Sequence, residues 1–423
     1  MPVPDTFRSN LDDARSSDRE RVVARVSLPT SFRLWLSLYV GMRIAYGLWA
    51  ALISPLRPLT QGEQALPLWP SVAPLGAWLE RVLLLPWQRW DVHYYLSIVE
   101  RGYRADDGTA QFHPLLPWLA TPLARLTDSG LLALLLVSSV ATLALLVAFE
   151  RLARLDLSPA DSRTATLLLL CSPPAFILFA PYTESLWLLC AVLCLLWARQ
   201  RRWWLAGLAG GLATLTRQQG IFLVLPLAWE VWIAAGRDWR RMLQMWHAWP
   251  ALGLAPLGLL IWLVYRAVAL GDLQAELSDP QALIYSLLIS PSASKVVPVQ
   301  AFLPPWQALA LALEKMWREP ELSLAVDLVL GGAFLALTAL AWPRLSGAYR
   351  ILVATISLVS FSYHTGPFYP YMGLPRHLLL AFPVFIGLAP LVRRPVTRMF
   401  IISSGALGSF FLLLLYVLES WTP

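Results

Sequence analysis

Apolar residues run along this chain in long unbroken blocks, and the polar residues that separate them are mostly arginines in short connections. Eleven blocks, at about residues 33–53, 130–149, 165–180, 184–198, 203–216, 221–235, 249–270, 322–342, 351–361, 374–391 and 399–418, are each read as a membrane-spanning helix, since about 20 helical residues cross a bilayer core. Two of them are short and are expected to be tilted or partly buried. The blocks are continuous rather than alternating, which excludes a β-barrel and predicts an all-α polytopic membrane protein. Residues 115–126 are apolar and proline-rich but too short to span easily, and read as re-entrant. Two long connections stand out, at 54–113 and 271–321. Within them the patterns at 78–85, 282–289 and 306–317 predict amphipathic helices lying on the membrane or covering a site. The first 31 residues are polar and read as a disordered or loosely helical tail, which leaves 32–423 as one transmembrane domain. The first block follows this charged tail and reads as a signal anchor rather than a cleaved leader.

Composition sharpens this picture. Of 423 residues, 57% are hydrophobic and only 14% charged, against roughly 25% charged in soluble domains. The 21 tryptophans suit interfacial belts. The net charge of +7 does not imply a nucleic-acid partner, because its arginines fall where orientation signals fall. With the tail (Arg8, Arg15, Arg19, Arg21, Arg25) inside, the other inside loops hold Arg151, Arg154 and Arg163; Arg199, Arg201 and Arg202; Arg237, Arg240 and Arg241; Arg344 and Arg350; and Arg393, Arg394 and Arg398. The three cysteines, Cys171, Cys190 and Cys194, lie in apolar blocks and read as packing residues. No inverted repeat of the transporter kind is visible.

The opposite, outward face then collects the unusual polar residues: Asp91, His93, Asp106, Asp107, His113, Glu184, Arg217, His364, Arg376 and His377. One outward site built from several helix ends is the simplest arrangement. The densest cluster is Trp90-Asp91-Val92-His93-Tyr94-Tyr95. Asp91 reads as a working carboxylate, because ionisable groups held at membrane depth usually have a task; the alternative is an interfacial acid beside an aromatic belt. Trp90, His93, Tyr94 and Tyr95 can stack on a sugar or hydrogen-bond it. If the segment is helical, His93 points away from Asp91, about 200° around the axis.

Asp106 and Asp107 are candidates for a second acid or a divalent-cation site with Asp91 and His93. Their spacing is not diagnostic, and an acidic loop at Gly108 is the better reading. Arg217 and Arg376 interrupt apolar stretches, and the planar guanidinium fork suits phosphate; snorkelling to lipid headgroups is the alternative. Glu184 opens a helix, where a carboxylate also complements the helix dipole. Asp327 is placed to face the cavity or pair with Arg266. His247, beside Trp246 and Trp249, reads as an interfacial anchor.

Several of these residues carry a resemblance. Trp90-Asp91-Val92-His93-Tyr94-Tyr95-Leu96-Ser97-Ile98 with Gly102-Tyr103 resembles the W-D-x-x-H-Y-x-x-I-A-x-x-G-Y pattern of the PIG-V-type mannosyltransferases of the GT-C superfamily. Phe112-His113-Pro114-Leu115-Leu116-Pro117 resembles that family's F-F-P-L-Y-P. Pro181-Tyr182-Thr183-Glu184-Ser185-Leu186 is similar to its Y-[ST]-E-S-L-F. Ala213-Thr214-Leu215-Thr216-Arg217 is similar to its A-[ST]-L-T-R, and Leu374-Pro375-Arg376-His377 with Phe382-Pro383 to its P-R-Y…F-P. The matches keep the family's order across most of the chain. Histidines stand at 113 and 377 where Phe and Tyr are usual, and Gln218-Gln219 precede Gly220.

The resemblance implies a GT-C fold with a catalytic Asp in the first outer loop, and inverting transfer of mannose from a polyprenyl-phosphate donor to a lipid or glycan acceptor on the outer face. It singles out Trp90, His93, Tyr94, His113, Tyr182, Glu184, Arg217, Arg376 and His377 for substrate, and requires no cofactor beyond a possible divalent cation. A transferase of another sugar, a lipid or solute transporter, and an inactive structural subunit are the rivals. Transport predicts charge pairs near the bilayer midplane, whereas the charges here lie at outward ends. The compact loops suggest a prokaryotic plasma membrane.

The arginine asymmetry fixes a testable topology, with residue 240 cytoplasmic and residue 107 outside. Single cysteines at the two positions, exposed to an impermeant thiol reagent in intact cells, should label at 107 and stay protected at 240. The reverse pattern contradicts the orientation.

Overall fold

A computed structural model describes residues 30–57, 83–105, 107–271, 301–366 and 370–419. The segments read as amphipathic at 78–85 (in large part) and at 282–289, most of the tail, and Asp106 lie outside the described residues. Two compact units divide after Arg43. Of the first, the described residues are the opening turns of α1 (Thr30–Ile53), which continues into the second. Every other element belongs to the second unit.

Among the described residues the elements after α1 are α2 (Val92–Arg101), α3 (Leu115–Thr127), α4 (Gly130–Ala153), α5 (Pro159–Leu170), α6 (Glu184–Arg199), α7 (Trp203–Thr216), α8 (Val224–Ala234), α9 (Trp239–Gln244) and α10 (Trp249–Tyr265). There follow β1 (Ala301–Phe302), α11 (Pro305–Arg318), α12 (Leu322–Ala341), α13 (Gly347–Ser362), β2 (Tyr363–His364), α14 (Leu374–Leu379), α15 (Pro383–Leu388) and α16 (Pro395–Val417). The only sheet among them is an antiparallel two-residue ribbon pairing Ala301 with His364 and Phe302 with Tyr363. The starts are chemically marked: Ser129 caps α4 by accepting from the Leu132 N–H, and Ser158 caps α5 by accepting from the Asp161 N–H, with Pro159 in the first turn.

Five helices are long and apolar enough to cross a membrane: Phe32–Leu56, Gly130–Ala153, Trp246–Leu270, Leu322–Arg344 and Pro395–Val417. The protein is therefore an integral, multi-pass membrane protein. Other apolar blocks form shorter helices, α6, α7 and α13 among them. Two depart from the single rods expected. The block at 165–180 bends by 81° between α5 and the 3-10 segment Pro173–Phe179, because Pro173 and Pro174 lack the amide hydrogens an α-helix needs there and Cys171 and Ser172 are forced out of register. The block at 374–391 divides into α14, α15 and a 3-10 turn, Ala389–Leu391, with Pro383 and Pro390 at the starts of the last two. Residues 115–126 form the helix α3, and the amphipathic pattern at 306–317 forms α11. Its small residues Ala308 and Ala312 pack with Tyr371, Leu374 and Leu378 around α14.

α7 packs closely against α10. A β-carbon on Gly258 would lie 2.5 Å from the Gly211 carbonyl oxygen, and one on Gly211 would lie 2.8 Å from that of Leu254. Small residues let two backbones meet this way in membranes. Gly258→Val must separate the helices and is expected to lower stability by roughly 1–3 kcal/mol, as overpacking does. Thermal unfolding in detergent checks it, and an unchanged midpoint contradicts this account of the α7–α10 contact.

Polar contacts fall into two layers. At the C-terminal end of α6, Arg199 grips Asp156 through two hydrogen bonds of 2.8 and 3.1 Å, and the Tyr349 hydroxyl donates to the same carboxylate. Arg393 pairs with Asp161, in the first turn of α5. These are the arginine-rich connections of the sequence. The second layer lies at the N-terminal end of α6, about 24 Å away along its 16 residues.

Candidate functional site

Four chain segments converge at the start of α6. The first carries Asp91, immediately before α2. A 3-10 turn, Leu85–Trp87, leads into it and is tied down by the Tyr416 hydroxyl, which donates to the Trp87 carbonyl at 3.2 Å. Arg89, fully buried, pairs with Glu419 at 3.2 Å and so anchors the turn to the end of α16. Trp90 then adopts φ 53°, the left-handed region that a bulky residue occupies at a cost of about 1–2 kcal/mol. This reversal starts α2 at Val92.

The second segment is the turn Ala180–Thr183, which delivers Glu184 as the first residue of α6. The third is the end of α7. Arg217 caps it in extended conformation, and the following 3-10 segment, Gln218–Leu223, folds back on the helix. That return needs glycine: a β-carbon on Gly220 would sit 2.3 Å from the Thr214 nitrogen. The fourth is α14, whose third residue is Arg376.

Glu184 is completely buried and stands between two guanidinium groups. Its Oε1 meets the Arg376 Nε at 3.2 Å and accepts a hydrogen bond from the Arg217 Nη1. Arg376 in turn donates from Nη1 to the Asp91 Oδ2 at 3.0 Å. The face of its guanidinium lies 5.2 Å from the centre of the Tyr182 ring, a cation–π arrangement. Arg217 is completed by the Thr183 hydroxyl at 3.1 Å and the Gln219 side-chain oxygen at 3.4 Å. Two carboxylates and two guanidiniums therefore form one neutral chain, Asp91–Arg376–Glu184–Arg217. Exposure differs sharply along it: the Glu184 side chain is 0% exposed, Arg376 8%, Arg217 13% and Asp91 31%. Breaking the buried Glu184 contacts would strand a charge, at about 3–5 kcal/mol, whereas exposed pairs are worth roughly 0.2–1 kcal/mol. Asp91 is the open end of the chain.

The structure thus brings together Asp91, Tyr182, Glu184, Arg217 and Arg376. It places the other singled-out residues around them. Tyr94 stacks on Phe112 with ring centres 4.8 Å apart, and burial with the charges of Asp91 and Asp107 raises its pKa. The His377 ring lies 6.1 Å from that of Tyr363. Trp90 keeps its indole N–H buried without a hydrogen-bond partner. His93 is on α2, two residues beyond Asp91. Asp107 is committed elsewhere: it accepts from the Thr109 amide at 3.0 Å and hydroxyl at 2.6 Å, closing a turn. Among the described residues no three His, Cys, Asp or Glu side chains group as a metal site. Asp327 and Arg266 are both buried.

Sequence reasoning missed Arg89, which looked like one more residue of the aromatic stretch, and Thr183 and Gln219, the neutral partners of Arg217. Tyr95, read with its neighbours as able to stack on a sugar or hydrogen-bond it, is buried, and its pKa is raised by burial and by the charge of Asp91.

With this geometry in hand, comparison with known proteins is informative. Residues 111–268 match the family model described as dolichyl-phosphate-mannose-protein mannosyltransferase. That stretch contains His113, Tyr182, Glu184 and Arg217 but neither Asp91 nor Arg376. Among solved structures, ArnT from Cupriavidus metallidurans, bound to undecaprenyl phosphate, superposes with a TM-score of 0.50 at 15% identity, covering 91% of this chain and 76% of that one. The chain has the GT-C fold. An oligosaccharyltransferase from Archaeoglobus fulgidus, tethered by a disulfide to an acceptor peptide with an NVT sequon, gives a TM-score of 0.40 at 13% identity, over 90% of this chain and 56% of that one. No curated protein sequence matches the chain.

His113 offers a pH test of the region. It stands just before α3, its ring 5.9 Å from that of Trp262. Burial, with lesser contributions from Arg266 and Arg217, pushes its pKa down to about 3. The folded protein keeps it neutral while the unfolded chain protonates it below about pH 6.5. Its contribution to stability is therefore complete above that pH and is lost as pH falls toward 3. Between pH 6.5 and 5 the loss should be about 2 kcal/mol, and His113→Phe should flatten that part of the stability–pH curve. Superimposable curves for the variant and the parent contradict the assignment.

Proposed function

We propose that this protein is a polyprenyl-phosphate-sugar-dependent glycosyltransferase, a mannosyltransferase of the PIG-V type, acting with inversion on a lipid or glycan acceptor at the outer face of a prokaryotic plasma membrane. The observation that carries the reading is the Asp91–Arg376 contact at 3.0 Å, which sets a half-open carboxylate against a buried guanidinium. The family model over residues 111–268 and the fold shared with ArnT support the class of donor.

In this reaction Asp91 takes the proton of the acceptor hydroxyl as the acceptor oxygen bonds to the anomeric carbon. The bond from that carbon to the phosphate oxygen breaks, and its electron pair leaves with the polyprenyl phosphate. The transition state is oxocarbenium-like. Negative charge growing on the departing phosphate is met by Arg376, with Arg217 behind it, and these preformed donors need no reorganisation. Glu184 prevents the two like charges from repelling each other apart. Trp90, His93, Tyr94 and Tyr182 offer rings and polar edges to the sugar, with His113 and His377 set further back. The polyprenyl chain reaches the site laterally, between helices.

Asp91→Asn preserves shape but is a far poorer proton acceptor, and should lower turnover at least about 10²-fold with little change in thermal stability. Turnover of the purified variant, with polyprenyl-phospho-mannose and total lipid extract followed by mass spectrometry, decides it. Near-normal product formation removes Asp91 from the role of base.

A further inference from the structure

The contact that identifies Asp91 occupies its Oδ2 and, on the other side, the Nη1 of Arg376. We infer that Asp91 holds the place on Arg376 that the donor's phosphate takes, so that donor binding frees this oxygen of Asp91 to turn toward the acceptor. This rests on the roles proposed above for the two residues.

The three contacts of Arg376 are not equivalent. Its Nε is engaged by Glu184, which is completely buried and also holds Arg217; an incoming anion that displaced Glu184 would leave a buried carboxylate without compensation. The face of the guanidinium is covered by Tyr182 at 5.2 Å. Only the Nη1 contact runs to a group in touch with solvent, because the Asp91 side chain is 31% exposed. Water can take over the hydrogen bonds Asp91 gives up, so this is the contact that yields. A phosphate oxygen is the same kind of acceptor as a carboxylate oxygen, and suits the guanidinium fork as well.

The charge balance points the same way. Asp91, Glu184, Arg217 and Arg376 sum to zero. Arrival of a phosphodiester makes the group −1, and transfer leaves it at −1, because the proton gained by Asp91 offsets the second negative charge left on the departing phosphate. A carboxylate freed before the donor is bound would leave Arg376 unpaired on that side.

A plain electrostatic consequence separates this from the base role alone: the variant that abolishes turnover should bind phosphate more tightly. Farnesyl phosphate, a short polyprenyl monophosphate, is titrated calorimetrically into full-length protein in detergent. Asp91→Asn should bind it roughly five-fold or more tightly than wild type. Arg376→Gln should bind it at least about ten-fold more weakly, and adding Asp91→Asn to Arg376→Gln should change nothing further. Unchanged or weaker binding by Asp91→Asn overturns the inference, and if Arg376→Gln still weakens binding, the phosphate role of Arg376 survives. Unchanged binding by Arg376→Gln overturns both. Should Arg376→Gln not fold, Arg376→Lys replaces it, and the comparison of Asp91→Asn with wild type decides the inference by itself.

Discussion

A buried carboxylate between two arginines is the constraint on which the polar architecture depends. Glu184 has no access to water, and an unpaired charge in that position would cost several kcal/mol. The fold must therefore bring guanidinium groups to it from elsewhere. Arg217 arrives from the end of α7, 33 residues on, and Arg376 from α14, far along the chain. Arg376 is buried and Arg217 only 13% exposed, so each needs its anion as Glu184 needs a cation. The three elements are locked by mutual necessity, and Asp91 joins the set through Arg376.

Such a set cannot be assembled from uninterrupted spanning helices. Non-helical backbone within a membrane protein survives where it is enclosed by protein, and the polar cluster stands at helix ends beside such backbone. The 3-10 segments at Pro173–Phe179 and Gln218–Leu223, the turn before Glu184 and the division between α14 and α15 each lie within a few residues of Glu184, Arg217 or Arg376 in the chain. Their amides find short-range partners, as where Tyr182 donates to the Ala180 carbonyl and Leu380 to that of His377. Proline causes two of these breaks, and the tight return at Gly220 shapes a third.

Much of this was legible in the sequence. The block at 203–216 is the helix α7 to the residue, and Glu184 opens α6 as its position implied. Asp91, Glu184, Arg217 and Arg376 stood out because charges are rare in an apolar chain, and rarity is visible without coordinates. Which charge meets which was not. Pairing depends on the rotation and depth of helices from remote parts of the chain, and no local pattern encodes that. The divided blocks failed for another reason: summed hydrophobicity outweighed Pro173, Pro174 and Pro383, although backbone hydrogen bonding gives proline the last word. Arg89 was hidden by its neighbours, since its partner Glu419 lies at the far end of the described chain.

The two polar layers share one helix. At its beginning α6 is held through Glu184, and at its end through Arg199, which Asp156 and Tyr349 secure. A rod fastened at both ends can neither slide nor tilt without unseating one fastening. α2, ten residues long, is set between two left-handed positions, Trp90 at φ 53° and Gly102 at φ 80°. Asp91, the residue that precedes it, joins it to the cluster through the half-open contact with Arg376. Under the roles proposed above, the base stands at the exposed end of the cluster and the arginines at its buried end, so a bulky acceptor meets the residue open to solvent rather than the fastened helix.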